Sequence, residues 1–160
     1  MRRTLKKRRA QGKTDYKLRL GLLKSGLPRV VVRKTNKYII VQLVESSEAK
    51  DKVLAGVSSK DLIKNGWDEK FAGSLKSVPA GYLTGLAFAK KVGKEKVILD
   101  LGMQRTTAGG RLFAVVKGLV DGGVNLKVDE KIYPSAERIE GKHLKSEVQS
   151  LIKVVRGKLG

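Results

Sequence analysis

Between Arg29 and Val57 the apolar positions gather into short β-branched runs, and after Ser77 they recur at helical spacing. The segments RVVVR, opened by Pro28, and YIIVQLV are separated by the turn formers KTNK, which predicts a β-hairpin. A third strand, DKVLAGV at 51–57, follows the polar turn ESSEAK. The segment SSKDLIKNG at 58–66 predicts a short helix capped by Ser59 and stopped by Gly66. Upstream of the hairpin, DYKLRLGLLKSG predicts a short helix with Thr14 as N-cap, Tyr16, Leu20 and Leu23 on one side, and Gly26 at its end.

Downstream the period becomes helical. Ser77 as N-cap and Pro79 in the first turn open AGYLTGLAFAKKV, with Leu83, Leu86, Ala87 and Lys90 marking an amphipathic helix that ends at Gly93. KVILDLG at 96–102 is apolar on both faces apart from Asp100, as an interior strand requires. GGRLFAVVKGLVDGG then predicts a helix with Leu112, Val115, Val116 and Leu119 on one stripe. A strand after a helix, followed by another helix, implies a parallel crossover joined to an antiparallel hairpin. The expected fold class is therefore α/β: a mixed β-sheet with flanking helices, a basic N-terminal extension and a C-terminal helical extension. NLKVDEKIYPSAERIEGK reads as a loop turning at Pro134 with a short helical piece near SAERIEG. In HLKSEVQSLIKVVRGKLG, Leu144, Val148, Leu151, Ile152 and Val155 form one face of a closing amphipathic helix that must dock on the body or on a partner. The expected division is 1–26 for the basic arm and short helix, 27–126 for the mixed α/β core, and 127–160 for the C-terminal extension. No internal repeat interrupts this organisation.

Charge changes the picture. The chain has 160 residues, 35 Lys and Arg against 15 Asp and Glu, and a net charge of +20. Residues 1–37 hold 14 of the basic residues and a single acid, Asp15. The arm MRRTLKKRRAQGK offers Arg2, Arg3, Lys6, Lys7, Arg8, Arg9 and Lys13 with almost no apolar anchor, so it is not expected to fold alone. A polyanion supplies the missing counter-charge, and nucleic acid adds the entropy of released counterions. The charge density continues past the arm, through Lys17, Arg19 and Lys24 of the helix and into the hairpin, which favours a nucleic-acid partner over a solubilising tail or a targeting signal. A basic membrane-surface protein is disfavoured, because the charge does not follow one face of a long amphipathic helix. No apolar run approaches the ~18 residues that a membrane span needs. The N-terminus lacks the apolar core of a secretory signal, so the protein is expected to stay in the compartment where it is made.

Chemistry is sparse. Without cysteine and with one histidine, His143, thiol catalysis and zinc sites built on Cys or several His are excluded, and His143 reads as a surface or capping residue. DLGMQRTTAGGRLF at 100–113 carries Gly102, Gly109 and Gly110 but matches no nucleotide-binding loop, although Arg105 and Arg111 are placed to meet an RNA phosphate. Asp51, Asp61, Asp100 and Asp121 are the acids a metal-dependent RNA-processing nuclease would recruit, yet no spacing forces them together. Aromatic residues are scattered singly, which argues against base stacking as the leading mode. What remains is the hairpin group Arg29, Arg33, Lys34, Thr35, Asn36, Lys37 and Tyr38, in which Arg29 and Arg33 share a sheet face. No catalytic residue, metal, cofactor or small-molecule substrate is assigned.

Three blocks, YKLRLGLLKSGLPRVVVRKTNKYIIVQLV at 16–44, LDLGMQRTTAGGRLFAVVKGLVDGG at 99–123 and AERIEGKHL at 136–144, closely resemble the family of protein eighteen of the large ribosomal subunit, in its archaeal and eukaryotic form. The resemblance covers almost the whole chain. It implies a ribonuclease-H-like sheet without a catalytic role, in a structural constituent of the cytoplasmic ribosome. The implied partners are 5S rRNA, large-subunit rRNA and neighbouring large-subunit ribosomal proteins. Carried over by position, the implied RNA contacts are the basic arm, the helix from Tyr16 to Lys24, and Arg29, Arg33, Lys34, Thr35, Asn36, Lys37, Tyr38 and Gln42.

Overall fold

A computed structural model describes residues 4–48, 50–93 and 95–159. A four-stranded sheet comprises β1 (Arg29–Lys34), β2 (Ile39–Ser47), β3 (Lys50–Ser58) and β4 (Ile98–Asp100), in the order β3-β2-β1-β4. The hairpin and the third strand pair antiparallel, whereas β4 runs parallel to β1. This is the mixed sheet that the alternation of patterns implied. The turn between β2 and β3 is tighter than ESSEAK suggested, because pairing continues to Ser47 and Lys50.

Alternation along β1 sends Val30 and Val32 to one face and Arg29, Val31 and Arg33 to the other. The valine face is fully buried, with Ile39, Val41, Leu43 and Val57, against α3 (Val78–Val92) and α4 (Arg111–Asp121). A bulge between Leu43 and Val44 alters the parity of β3: Ala55 pairs with Leu43 but Val53 pairs with Val44. Val57 and Ala55 therefore face the core, while Val53 and Asp51 lie on the opposite face beside Arg29. Among the described residues, no long helix packs across that second face. Over its edge lies only α2 (Tyr16–Leu23), preceded by the single turn α1 (Lys7–Ala10), and neither helix buries a residue.

The helix α3 is buried on nearly every side rather than along one stripe, because it lies between the sheet, α4 and α6 (Ser146–Leu159). Its N-cap is Ser77, as expected, accepting from the Ala80 amide. Val148, Ile152, Val155 and Leu159 of α6 close a second core with Trp67, Leu75, Val78 and Leu83, so the C-terminal helix docks on the body. Its N-terminal neighbour α5 (Ala136–Glu140) lies against α3 as well.

Two capping assignments shift by one residue. Asp15, not Thr14, caps α2, taking the amides of Lys17 and Leu18. Thr14 instead accepts from Arg8 Nε at 2.9 Å. Leu20, expected on the packed side of this helix, is exposed. Ser58, not Ser59, caps the 3-10 helix Ser59–Asn65 in a reciprocal capping box with Asp61, while Ser59 turns inward and accepts from the Ile39 amide. A second 3-10 helix, Glu69–Ser74, has no periodic signature in the sequence. No helix among the described residues is long and apolar enough to cross a membrane.

α3 and α4 meet backbone to backbone where Gly85 faces Gly118. A Cβ on Gly85 would collide with the Val115 carbonyl oxygen and sit 3.1 Å from Gly118 Cα, and one on Gly118 would collide with the Tyr82 carbonyl oxygen. Gly21 of α2, in contrast, faces open space. Gly85→Ala is therefore expected to destabilise the chain by about 2 to 3 kcal/mol through overpacking. Gly21→Ala should stabilise α2 by up to about 1 kcal/mol. Urea unfolding of the two variants checks this, and a neutral Gly85→Ala would mean the helices do not meet backbone to backbone.

Candidate nucleic-acid interface

The open sheet face carries a chain of alternating charges. Arg29 is 3% exposed and Asp100 7% exposed. Arg29 Nη1 donates to Asp100 Oδ2 at 2.9 Å, and its Nη2 donates to Asp51 Oδ1 and Ser46 Oγ, each at 3.0 Å. Arg33 reaches the same aspartate, through Nη2 to Oδ1 at 2.9 Å and through Nη1 to the Asp100 carbonyl at 2.8 Å. At the other end Arg19 of α2 donates to Asp51 Oδ2 at 2.7 Å. Three cations thus alternate with two carboxylates, tying α2, β3, β1 and β4 together. Arg29 Nε is buried without a hydrogen-bond partner among the described residues.

Local geometry holds each member. Parallel pairing sets Asp100 opposite Val31, between the two arginines of β1, and the Gly102 amide donates to its Oδ1 at 2.8 Å. Gly102 has φ +61°, which favours glycine, and a Cβ there would come within 3.0 Å of the Arg33 guanidinium carbon and push it aside by a few tenths of an ångström. The β3 bulge brings Asp51 onto this face. Burial raises the Asp51 pKa, but the hydrogen bond from Ser46 and the charges of Arg19 and Arg29 outweigh it, holding the carboxyl below its ordinary value.

This arrangement recasts Arg29. The sequence reading offered its guanidinium to RNA; the structure commits it to Asp100, Asp51 and Ser46 beneath the surface. The bulge and the strand register, neither visible in the residue pattern, bring those acids to it. Arg33 keeps about a third of its side chain exposed. Gln42 lies half-buried on the same face, in a cleft between α2 and the sheet that Arg8, Lys13 and Arg19 also line.

The remaining cations stand outward. Arg2 and Arg3 lie outside the described residues; Lys6, Lys7, Arg8, Arg9 and Lys13 of the arm are exposed, as are Lys17 and Lys24 of α2. Lys6 Nζ sits 4.6 Å from the centre of the half-buried Tyr16 ring. The turn after β1 is closed by Thr35, whose amide and hydroxyl donate to the Tyr38 carbonyl while its Oγ1 accepts from the Tyr38 amide. That closure leaves Lys34, Asn36 and Lys37 exposed at the hairpin tip and Tyr38 half-buried. Arg105 and Arg111 are exposed at the entrance to α4, away from this face, and Lys34 points to their side. None of the aromatic side chains is fully exposed.

The acids that a nuclease would need are occupied separately. Asp61 completes a cap, and Asp121 accepts from Tyr82 Oη at 3.0 Å and pairs with Lys117 at 2.9 Å. Asp51 and Asp100 are bridged by the Arg29 guanidinium. Among the described residues, no group of three or more His, Asp or Glu side chains is placed to hold a metal ion. His143 is exposed. The arrangement suits charge attraction to a polyanion rather than bond cleavage.

Comparison with known proteins points the same way. Residues 2–96 and 92–129 match the model of a family described as ribosomal large subunit proteins 60S L5 and 50S L18. The chain is similar to the large ribosomal subunit protein uL18 of Methanoregula boonei, 45% identical over 141 residues, or 86% of this chain and 79% of that one. It is 46% identical over 148 residues to the protein of the same name from Korarchaeum cryptofilum, covering 91% of this chain and 74% of the other. The counterpart in Methanoculleus marisnigri is 46% identical over 141 residues, 86% of this chain and 78% of its own length.

Removing one partner from a buried pair leaves the other charge uncompensated, so Asp100→Asn is expected to cost about 3 kcal/mol, whereas the more exposed Arg33→Ala should cost no more than about 1 kcal/mol. Asp51 adds a pH dependence. Its folded pKa lies below the unfolded value, so its ionised form stabilises the fold above the ordinary carboxylate range, and this is lost as pH falls through the depressed value. The deficit of Asp51→Asn against the parent should therefore be largest near neutrality and vanish in acid. Urea titrations of the three variants from neutral pH downward check both expectations; equal losses for Asp100→Asn and Arg33→Ala would remove Asp100 from the centre of the network.

Proposed function

The chain belongs to the family of the large-subunit ribosomal proteins 60S L5 and 50S L18, and from that membership we propose that it binds 5S rRNA and helps attach it to the large-subunit rRNA. As a member it is a structural constituent of the large ribosomal subunit, not an enzyme, and its partners are ribosomal RNA and ribosomal proteins. One observation carries the finer reading. From Lys6 to Lys37, every cation except Arg19, Arg29 and Arg33 lacks a carboxylate partner among the described residues. The one acid of that stretch, Asp15, is taken up by the α2 cap.

On this reading residues 1–26 are a basic arm and helix that contact any RNA backbone, and 27–126 are the core whose hairpin tip contacts RNA in fixed geometry. Residues 127–160 extend the core. Lys34, Lys37 and Asn36 stand on a turn closed by three hydrogen bonds between Thr35 and Tyr38, so little ordering is required of them on binding. Arg29 acts at one remove, by holding Asp100 and Asp51 where they orient Arg33 and Arg19.

Titration of the full chain onto isolated 5S rRNA tests the proposal. With six to ten phosphates neutralised, by analogy with duplex DNA, affinity should fall on the order of a thousandfold between ~50 and ~200 mM salt. Removing residues 1–13 should weaken binding to 5S rRNA and to an unrelated RNA of equal length by similar factors. Asn36→Ala with Lys37→Ala should lower the preference for 5S rRNA. A flat salt response, or equal affinity of the parent for both RNAs, would sink the proposal.

A further inference from the structure

The strand β3 is a free edge of the sheet: among the described residues, it pairs with β2 and with no other strand. An edge strand presents a row of unpaired amides and carbonyls spaced to match another extended backbone. At its C-terminal end the main chain of β3 is already engaged, because the Gly56 carbonyl accepts from Lys91 Nζ at 3.4 Å and the Ser58 amide donates to Asp61 at 2.9 Å. Residues 50–54 have no such cover. Among the described residues, the one hydrogen bond from α2 to this stretch is that of Arg19 to the Asp51 carboxylate, which takes up no main-chain group.

The side chains of the open stretch sort by face. In the ladder Lys50 and Lys52 stand opposite Ser47 and Glu45, whereas Asp51 and Val53 stand opposite Ser46 and Val44, so the two lysines share one face and Val53 lies on the other. Val53 and the bulged Leu54 are apolar yet about half exposed. Neither lysine has an ion pair among the described residues, and Asp51 is taken up by Arg19 and Arg29. A complementary strand therefore alternates acidic side chains against the lysines with β-branched apolar ones against Val53.

Lysine on an edge strand also wards off unwanted pairing. Here that repulsion selects the occupant. A second copy of the chain would bring a further net charge of +20, whereas an acidic strand meets its counter-charge. RNA offers phosphate acceptors but no alternating amides and carbonyls with which to continue the ladder.

We propose that β3 takes an extended acidic segment of a protein partner along residues 50–54, adding a strand to the sheet by main-chain pairing. The site is independent of the RNA-binding role proposed above, which uses none of Lys50, Lys52, Val53 and Leu54.

The probe is a peptide alternating Glu and Val, with a Lys–Val peptide as its charge control, and the readout is amide hydrogen exchange of the full-length chain. With the Glu–Val peptide in excess, exchange of the amides in residues 50–54 that point away from β2 should slow by about tenfold, and the Lys–Val peptide should change nothing there. Lys50→Gln with Lys52→Gln should weaken binding of the Glu–Val peptide roughly fivefold, the scale of two exposed ion pairs. Lys64→Gln with Lys70→Gln removes the same charge from exposed positions elsewhere and should leave that binding unchanged. Unaltered exchange at residues 50–54, equal protection by both peptides, or equal losses for the two double variants would overturn the proposal. So would protection of the same amides by 5S rRNA or by raising the concentration of the chain alone, which would assign the edge to RNA or to a second copy.

Discussion

Arg29 carries its charge into a site where the residue is only 3% exposed, and a cation there is stable only while Asp100 and Asp51 remain beside it. That requirement reaches across the sheet. Asp100 must stand at the end of β4, which holds the parallel crossover against β1; Asp51 must stand on the open face, which needs the bulge in β3. Once both acids are fixed, their free oxygens orient Arg33 and Arg19, and Arg19 is what tethers α2 to the strands by charge. The basic surface is thus arranged by a group that does not itself belong to it.

The two faces of the sheet divide the work. The valine face is buried by α3 and α4, which approach closely enough at Gly85 and Gly118 that their backbones touch. With that core and the Trp67 cluster supplying apolar burial, the other face is free of the need to be covered by a long helix. It can stay polar and open.

Much of this was legible in the residues. β-branched runs separated by turn formers located β1 to β3, helical spacing located α3, α4 and α6, and a lone apolar strand between helices implied the parallel pairing. Charge pointed to the arm, α2 and the hairpin. The role of Arg29 was not legible, for a definite reason. Counting alternate positions back from Val57 through Ala55 places Asp51 on the core face, and only the bulge reverses that parity. The distance between Arg29 and Asp100 likewise depends on a strand register between residues 71 positions apart in the chain. A signal did exist for the caps: Asp15 before YKL and Ser58 three residues before Asp61 both fit N-cap patterns, one residue away from the positions chosen.

Where the excess of positive charge acts depends on where the acids stand as well as on the number of bases. Asp15, Asp61, Asp68 and Asp129 accept backbone amides at the starts of helical segments. Asp51 and Asp100 lie inside the arginine network, and Asp121 is shared by Tyr82 and Lys117. Every aspartate is therefore engaged by the fold, mostly with its own backbone or with a buried guanidinium, because a short carboxylate satisfies amide donors with little loss of side-chain entropy. Asp100 alone among the acids is buried; Asp15, Asp68, Asp121 and Asp129 stay exposed but are each held in a local contact, so the acids stabilise the fold where they stand and leave the described lysines of the arm and hairpin tip without a carboxylate beside them.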